Sequence, residues 1–241
     1  NGIAIGRATD SSYGWAGYIQ DFRVYKSAKY TADFVLPEQL DTTDRSGNSN
    51  NGSNEGVSWQ TSVQKFYGGA SYFSGNGKVT VSGSDFAFRT GDYTIEMWVY
   101  HTALGAQATY FGDTYGSTAG VYFYRNSSNQ IGVYVQGQVV TSDRFMPSNQ
   151  WVHVAAVRRS GRIFLYMNGE YAGDAANTTD LTVTDYAVGE TPGGNSGSME
   201  GYIQDVRVYK GIAKYTSSFS PPERSVQGTA RRYPSGIYVV S

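Results

Sequence analysis

The sequence predicts an all-β protein: one complete antiparallel β-sandwich preceded by the C-terminal end of a second copy. Three observations predict it. Apolar residues alternate with period two in short segments bounded by Gly, Asn and Ser. No segment of any length carries a helical period. A stretch of the chain also returns at a spacing of about one sandwich.

The repeat sets the domain organisation. GYIQDFRVYKSAKYTADFVLPE, from Gly17, returns as GYIQDVRVYKGIAKYTSSFSPPE, from Gly201. The offset is 184 residues, becoming 185 after one inserted residue near Ile212. Upstream, Ala4, Ile5 and Gly6 align with Ala187, Val188 and Gly189. Residues 1–38 are therefore read as the last strands of a preceding repeat, 41–225 as a complete domain, and 226–241 as a tail or linker. LPEQLDTTDRSGN joins the two copies with no Pro- or Ser-rich spacer, so neighbouring repeats are expected to sit close together. The strands of residues 1–38 would need a partner, supplied by upstream chain, by another subunit or by docking beside the complete domain.

Along the complete domain the pattern is regular. Tyr93, Ile95, Met97 and Val99 alternate with Thr94, Glu96, Trp98 and Tyr100, which is the pattern of a strand packed on at least one face. Val152, Val154 and Ala156 repeat it, as do Ile163, Leu165 and Met167. Asn168-Gly169 between FLYM and EYAG predicts a type I′ hairpin, because both residues tolerate positive φ. Ser160-Gly161 and Asn76-Gly77 mark further turns. Polar loops are expected at 41–62, 113–119 and 190–199. GIAKYTSSF, before Pro221 and Pro222, is the one helical candidate. The tail ends in strand-like GIYVVS, which could pair with a neighbouring chain or lead into a further domain.

Composition narrows the function. Among the 241 residues, 39% are apolar and only 16% charged, so the polarity is carried by Ser, Thr, Asn, Gln, 30 Gly and 21 Tyr. A net charge of −1 with thinly spread Lys and Arg offers no footprint for phosphate backbones, which argues against a nucleic-acid partner. Arg158/Arg159 and Arg231/Arg232 read as solvated pairs. The absence of Cys excludes disulfides and thiolate metal sites. No apolar run approaches the roughly 20 residues needed to cross a bilayer. The beginning, NGIAIGRATD, carries neither an initiating Met nor a signal h-region, and is read as belonging to a piece of a longer protein.

Five segments occur in an order that resembles the laminin G-like repeats of the concanavalin A-like superfamily, in the version common in phage virion and bacterial secreted proteins. They are DTTDRSGN at 41, FYGGASYFSGNGKVTV at 66, GDYTIEMWVY at 91, QWVHVAAVRRSGRIFLYMNG at 150 and GYIQDVRVYKGIAKYT at 201. The resemblance covers nearly all of 41–225 and implies a concanavalin A-like antiparallel jelly roll. Trp98 and Trp151 are read as packing residues of this sandwich, and His153 as a hydrogen-bonded packing residue rather than a base.

The resemblance also directs the search for chemistry. β-Glucanases of this fold place carboxylates as ExDxE along one strand, whereas Glu96 is the only acid in TIEMWVY. Retaining hydrolysis needs two carboxyls about 5 to 5.5 Å apart. Asp205 and Arg207 are expected to share a face and pair. No catalytic residue is assigned. Calcium is the one cofactor the family suggests, with Asp113, Asp180, Glu190 and Asn195 as candidate oxygen ligands and ordinary turn-capping as the alternative reading. For sugar binding the candidates are Tyr110, Tyr115, Tyr122, Tyr124 and Asn126, around the 113–119 loop and the strand after it. Partly buried strand tyrosines are the alternative. The expected function is a non-enzymatic adhesion module of a larger extracellular or virion protein, such as a phage tail fibre. Its partners would be surface glycans and adjacent repeats, with no membrane insertion. A structural spacer and a polysaccharide-degrading enzyme are the competing readings.

Overall fold

A computed structural model describes residues 42, 50–66, 69–113, 117–194 and 197–223, together with the backbone of Ile237–Val240. The chain divides into two compact units, Asn1–Leu36 and Pro37–Ser241. The first unit, and with it the expectation that residues 1–38 find a partner, lies outside the described residues.

In chain order the strands are β1 (Ser53–Glu55), β2 (Ser58–Gln60), β3 (Ala70–Ser74), β4 (Lys78–Ser82), β5 (Tyr93–His101), β6 (Ala108–Gly112), β7 (Tyr122–Arg125), β8 (Gln130–Val135) and β9 (Gln138–Phe145). They continue as β10 (Trp151–Arg159), β11 (Arg162–Met167), β12 (Glu170–Ala176), β13 (Asp185–Val188), β14 (Glu200–Lys210) and β15 (Ile237–Val240). One sheet runs β1-β4-β13-β6-β7-β8-β9. The other runs β12-β11-β10-β5-β14-β3-β2, with β15 added against β14. All pairings but the last are antiparallel; β15 lies parallel to Val206–Tyr209 of β14 in the same chain, which is where the strand-like tail goes.

The period-two pattern decides which side chains fill the sandwich. Tyr93, Ile95, Met97 and Val99 of β5 and Val152, Val154 and Ala156 of β10 face Phe111, Phe123, Val133 and Val188 of the other sheet in one buried cluster. Fully burying side chains of this size contributes about 1.5–3 kcal/mol each. The hairpin between β11 and β12 turns on Asn168 (φ 51) and Gly169 (φ 79), the two positive φ values that a type I′ turn requires.

Three local expectations are corrected. Arg158, read as solvated, is fully buried, with Nε donating to Gly91 O (2.7 Å) and Nη1 to Thr179 O (2.9 Å). The 41–62 loop contains β1 and β2, two short edge strands. The helical candidate GIAKYTSSF is an extended strap across the outer face of the eight-stranded sheet; among the described residues the only helix is a 3-10 turn at Ser84–Phe86. A helix would have kept the backbone bonds of residues 212–215 internal. Instead Thr94 Oγ1 donates to Ile212 O (2.8 Å) and accepts from Lys214 N (3.0 Å), tying the strap to β5.

Candidate functional site

The outer face of the eight-stranded sheet holds the outward half of each alternating strand, and the registers sort these residues into rows crossing the strands. Ala155 pairs with Glu96, and Glu96 with Arg207. The next row towards the start of β10 is His153, Trp98 and Gln204. The row beyond it is Trp151, Tyr100, Tyr202 and Tyr72, four aromatic residues from four adjacent strands at one level.

The first two rows are covered. Over Glu96, Lys214 Nζ and Tyr215 Oη (2.5 Å) donate to the carboxylate from the strap, and His153 Nε2 lies 3.2 Å from it within the sheet. Arg207 Nη1 stands 3.7 Å away and also binds Asp205, so the expected Asp205–Arg207 pair forms, at a bulge where Asp205 has φ 60. Burial alone would push the fully enclosed Glu96 carboxyl up, but the His153 and Lys214 contacts outweigh it and hold the group down at about 2. Phe219 closes the strap over His153 and stacks on Tyr215. Over Trp98, residues 65 and 66 form a second cover. Lys65 Nζ sits 4.0 Å from the indole centroid and Phe66 packs edge-on at 6.0 Å, while Gln204 Oε1 accepts from both backbone N–H groups at 2.9 and 3.2 Å.

The aromatic row lies beyond both covers. Neighbouring ring centroids are 5.6 Å apart for Tyr100–Trp151, 5.7 Å for Tyr100–Tyr202 and 5.0 Å for Tyr72–Tyr202. Tyr202 is wedged in the middle at 9% exposure, and Tyr72, Tyr100 and Trp151 are half-buried. Trp98 is buried, as the packing reading expected; Trp151 packs against Tyr100 but stays partly exposed. Rings fixed at this spacing, with phenol and indole polar groups at their tips, form an amphipathic stripe suited to a ligand with both apolar and hydroxyl surfaces.

The sugar candidates chosen from sequence lie elsewhere. Tyr110 points between the sheets, fully buried, with its hydroxyl 2.9 Å from His101 Nε2, so it presents no ring to solvent. Tyr122 and Tyr124 do share the outer face of the seven-stranded sheet, stacked at 4.9 Å. Yet both are buried, and Tyr122 Oη is engaged by Thr109 Oγ1 and Gln107 Nε2, each at 2.9 Å. The Asn126 side chain accepts from Gln130 N at 2.9 Å, a turn-closing role. Tyr115 lies outside the described residues.

The calcium candidates do not converge. β13 pairs with β6 so that Val188 opposes Phe111 and Ala187 opposes Gly112. Asp113 and Glu190 therefore sit at opposite ends of that strand pair, separated by about 13 Å at 3.3 Å per residue. Asp180 pairs with Arg89 at 2.9 Å, and Asn195 is outside the described residues. Among the described residues no group of three or more His, Cys, Asp or Glu could hold a metal, so these residues do not fit calcium as one set. Asp113 is a buried carboxyl whose Oδ1 has no partner among the described residues, and burial, opposed by a Ser117 hydrogen bond, pushes it up to about 6.

A laminin G-type sequence profile of the concanavalin A-like lectin/glucanases superfamily matches residues 73–213. No curated protein matches the sequence significantly. Among solved structures, domain 4 of AbnA, a GH43 extracellular arabinanase from Geobacillus stearothermophilus, in complex with arabinotriose, is similar at TM-score 0.56 and 16% identity. That match covers 70% of this chain and 86% of that one. Domains LG4-5 of the mouse laminin alpha1 chain match at TM-score 0.49 and 15% identity, covering 73% of this chain and 49% of theirs. At these identities the likeness is one of fold.

Proposed function

We propose that this chain, which belongs to the laminin G-type family of the concanavalin A-like lectin/glucanases superfamily, is a non-enzymatic glycan-binding module that holds its ligand on the row Trp151, Tyr100, Tyr202 and Tyr72. The row carries the proposal. It is a line of aromatic rings on the outer sheet face, one row beyond those under the strap and the 65–66 segment, in which Tyr72, Tyr100 and Trp151 keep partial exposure around the buried Tyr202. The arabinanase domain of similar fold has a structure in complex with arabinotriose, which supports sugar binding as a use of this architecture.

The non-enzymatic reading rests on the lack of an ExDxE-type carboxylate set in the sequence, and the surroundings of Glu96, the one acid of its strand, support it. A general acid must carry a proton at working pH. Glu96 is ionised under the strap and saturated by Lys214, Tyr215 and His153. Arg207 lies between Glu96 and Asp205 as a shared counterion, which disfavours an acid and nucleophile pair there. The repeat of Gly17–Glu38 at Gly201 supports a place in an extracellular array of such domains, and a virion appendage such as a phage tail fibre is the setting we assign to it.

A glycan array tests the proposal, using the whole chain beside Trp151→Ala and Tyr100→Ala. Binding that falls at least about tenfold in both variants, with their thermal unfolding still cooperative, is expected. A blank array, with the protein assembling into ordered oligomers, would favour the spacer reading instead.

A further inference from the structure

We infer that the aromatic row takes an internal stretch of a single, uncharged, linear polysaccharide chain running across the strands, rather than a terminal sugar, an anionic glycan or a crystalline polysaccharide face. This rests on the glycan-binding reading above and specifies its ligand.

Direction comes from the register. Trp151 opposes Tyr100, Tyr100 opposes Tyr202, and Tyr202 opposes Tyr72, so the line of rings is perpendicular to the strands and its period is the strand spacing of about 4.8 Å. The observed separations of 5.6, 5.7 and 5.0 Å follow that spacing. A site for one terminal sugar would gather its groups around a single point. Here equivalent groups repeat along a line, which rewards a ligand that repeats as well.

The tilts decide between one chain and a crystal surface. The rings meet at 60°, 85° and 47° from Trp151 to Tyr72. A flat crystalline face could stack only on coplanar rings. A single chain, whose sugars rotate about their linkages, can present a face to one ring and an edge to the next. The edge of a tilted tyrosine also brings its hydroxyl to the ligand, where it can donate to and accept from sugar hydroxyls.

Charge decides the ligand class. The row itself is uncharged. Glu96, Asp205 and Arg207 are buried in the neighbouring network, whereas Lys65, exposed and lying over Trp98, sets one positive charge at that margin of the row. Glu200, two residues before Tyr202 on β14 and opposite Ser74, is exposed and adds one negative charge beside the row. With one charge of each sign at opposite margins and none along the four rings, a chain carrying a carboxylate on every unit would meet one like charge and one cation and find no counterion along the row, so the neutral chain is favoured.

The test is calorimetric titration of the whole chain with ladders of cello-, xylo- and arabino-oligosaccharides of about one to six units. Polygalacturonate and microcrystalline cellulose serve as comparators. In one neutral series, affinity should rise at least about tenfold between two and four units and then level off. Tyr72→Ala, at the end of the row, should level off about one unit earlier. Equal affinity for the shortest and longest members of a series, preference for polygalacturonate, or binding to microcrystalline cellulose but no oligosaccharide would overturn the inference while leaving a glycan-binding module. Silence of the glycan array as well as of every ladder would overturn both.

Discussion

Replacing Glu96 by Gln removes one charge from the centre of the outer sheet face, and the structure sets the size of the effect. The carboxylate is fully buried and accepts from Lys214, Tyr215 and His153, the first two of which belong to the strap. Its depression from 4.5 to about 2 means that the fold prefers the ionised form by about 3 kcal/mol. Because the folded value lies below the unfolded one, this stability is fully present above about pH 4.5 and is lost as pH falls towards 2. Gln keeps the shape but leaves Lys214 and Arg207 facing a neutral amide, and breaking a buried pair on one side costs about 3–5 kcal/mol. Urea unfolding followed by tryptophan fluorescence should show the variant less stable by about 3 kcal/mol at pH 7, with the difference shrinking between pH 4.5 and 2. A loss below about 1 kcal/mol at pH 7, or one constant across that window, would refute this role of Glu96 in holding the strap.

Asp113 should behave in the opposite sense. Its folded value, about 6, lies above the ordinary 3.8, so the native state takes up a proton that the unfolded chain does not, and stability rises as pH falls from about 6 to 4. Asp113→Asn should raise the melting temperature at pH 7 and abolish that pH dependence, by up to about 3 kcal/mol; an unchanged melting temperature and an unchanged pH profile would show the carboxyl to be solvated. Gly169→Ala should loosen the end of the strap. The turn needs φ 79 there, and a Cβ would lie 1.8 Å from Phe219 O, whose own residue donates its N–H to Gly169 O at 2.9 Å. Limited proteolysis within 211–223 is expected to accelerate in this variant, and unaltered cleavage would mean that the strap is held without the hairpin.

Local chemistry made much of the sandwich legible. Alternation in residues 93–99, 152–156 and 163–167 separated the side chains that face the other sheet from those that face outward because a strand has only two faces, and Asn168-Gly169 announced its hairpin because few residue pairs accept two positive φ values. The outward half of the same alternation already contained Tyr100 and Trp151, but only the strand order β10-β5-β14-β3 sets them level with Tyr202 and Tyr72. Sequence proximity pointed instead to Tyr110, which faces the opposite sheet, and to Tyr122 and Tyr124, which are buried on the outer face of the seven-stranded sheet, with Gln107 Nε2 on the Tyr122 hydroxyl. The strap failed as a helix for a similar reason: Lys214 and Tyr215 are drawn to a carboxylate 118 and 119 residues earlier in the chain, an attraction that local propensity does not contain. Sequence by itself determined which residues face inward and where the chain turns, since those depend on neighbours along the backbone. Which outward residues stand side by side was decided by strand order and register, which are long-range properties of the folded sheet.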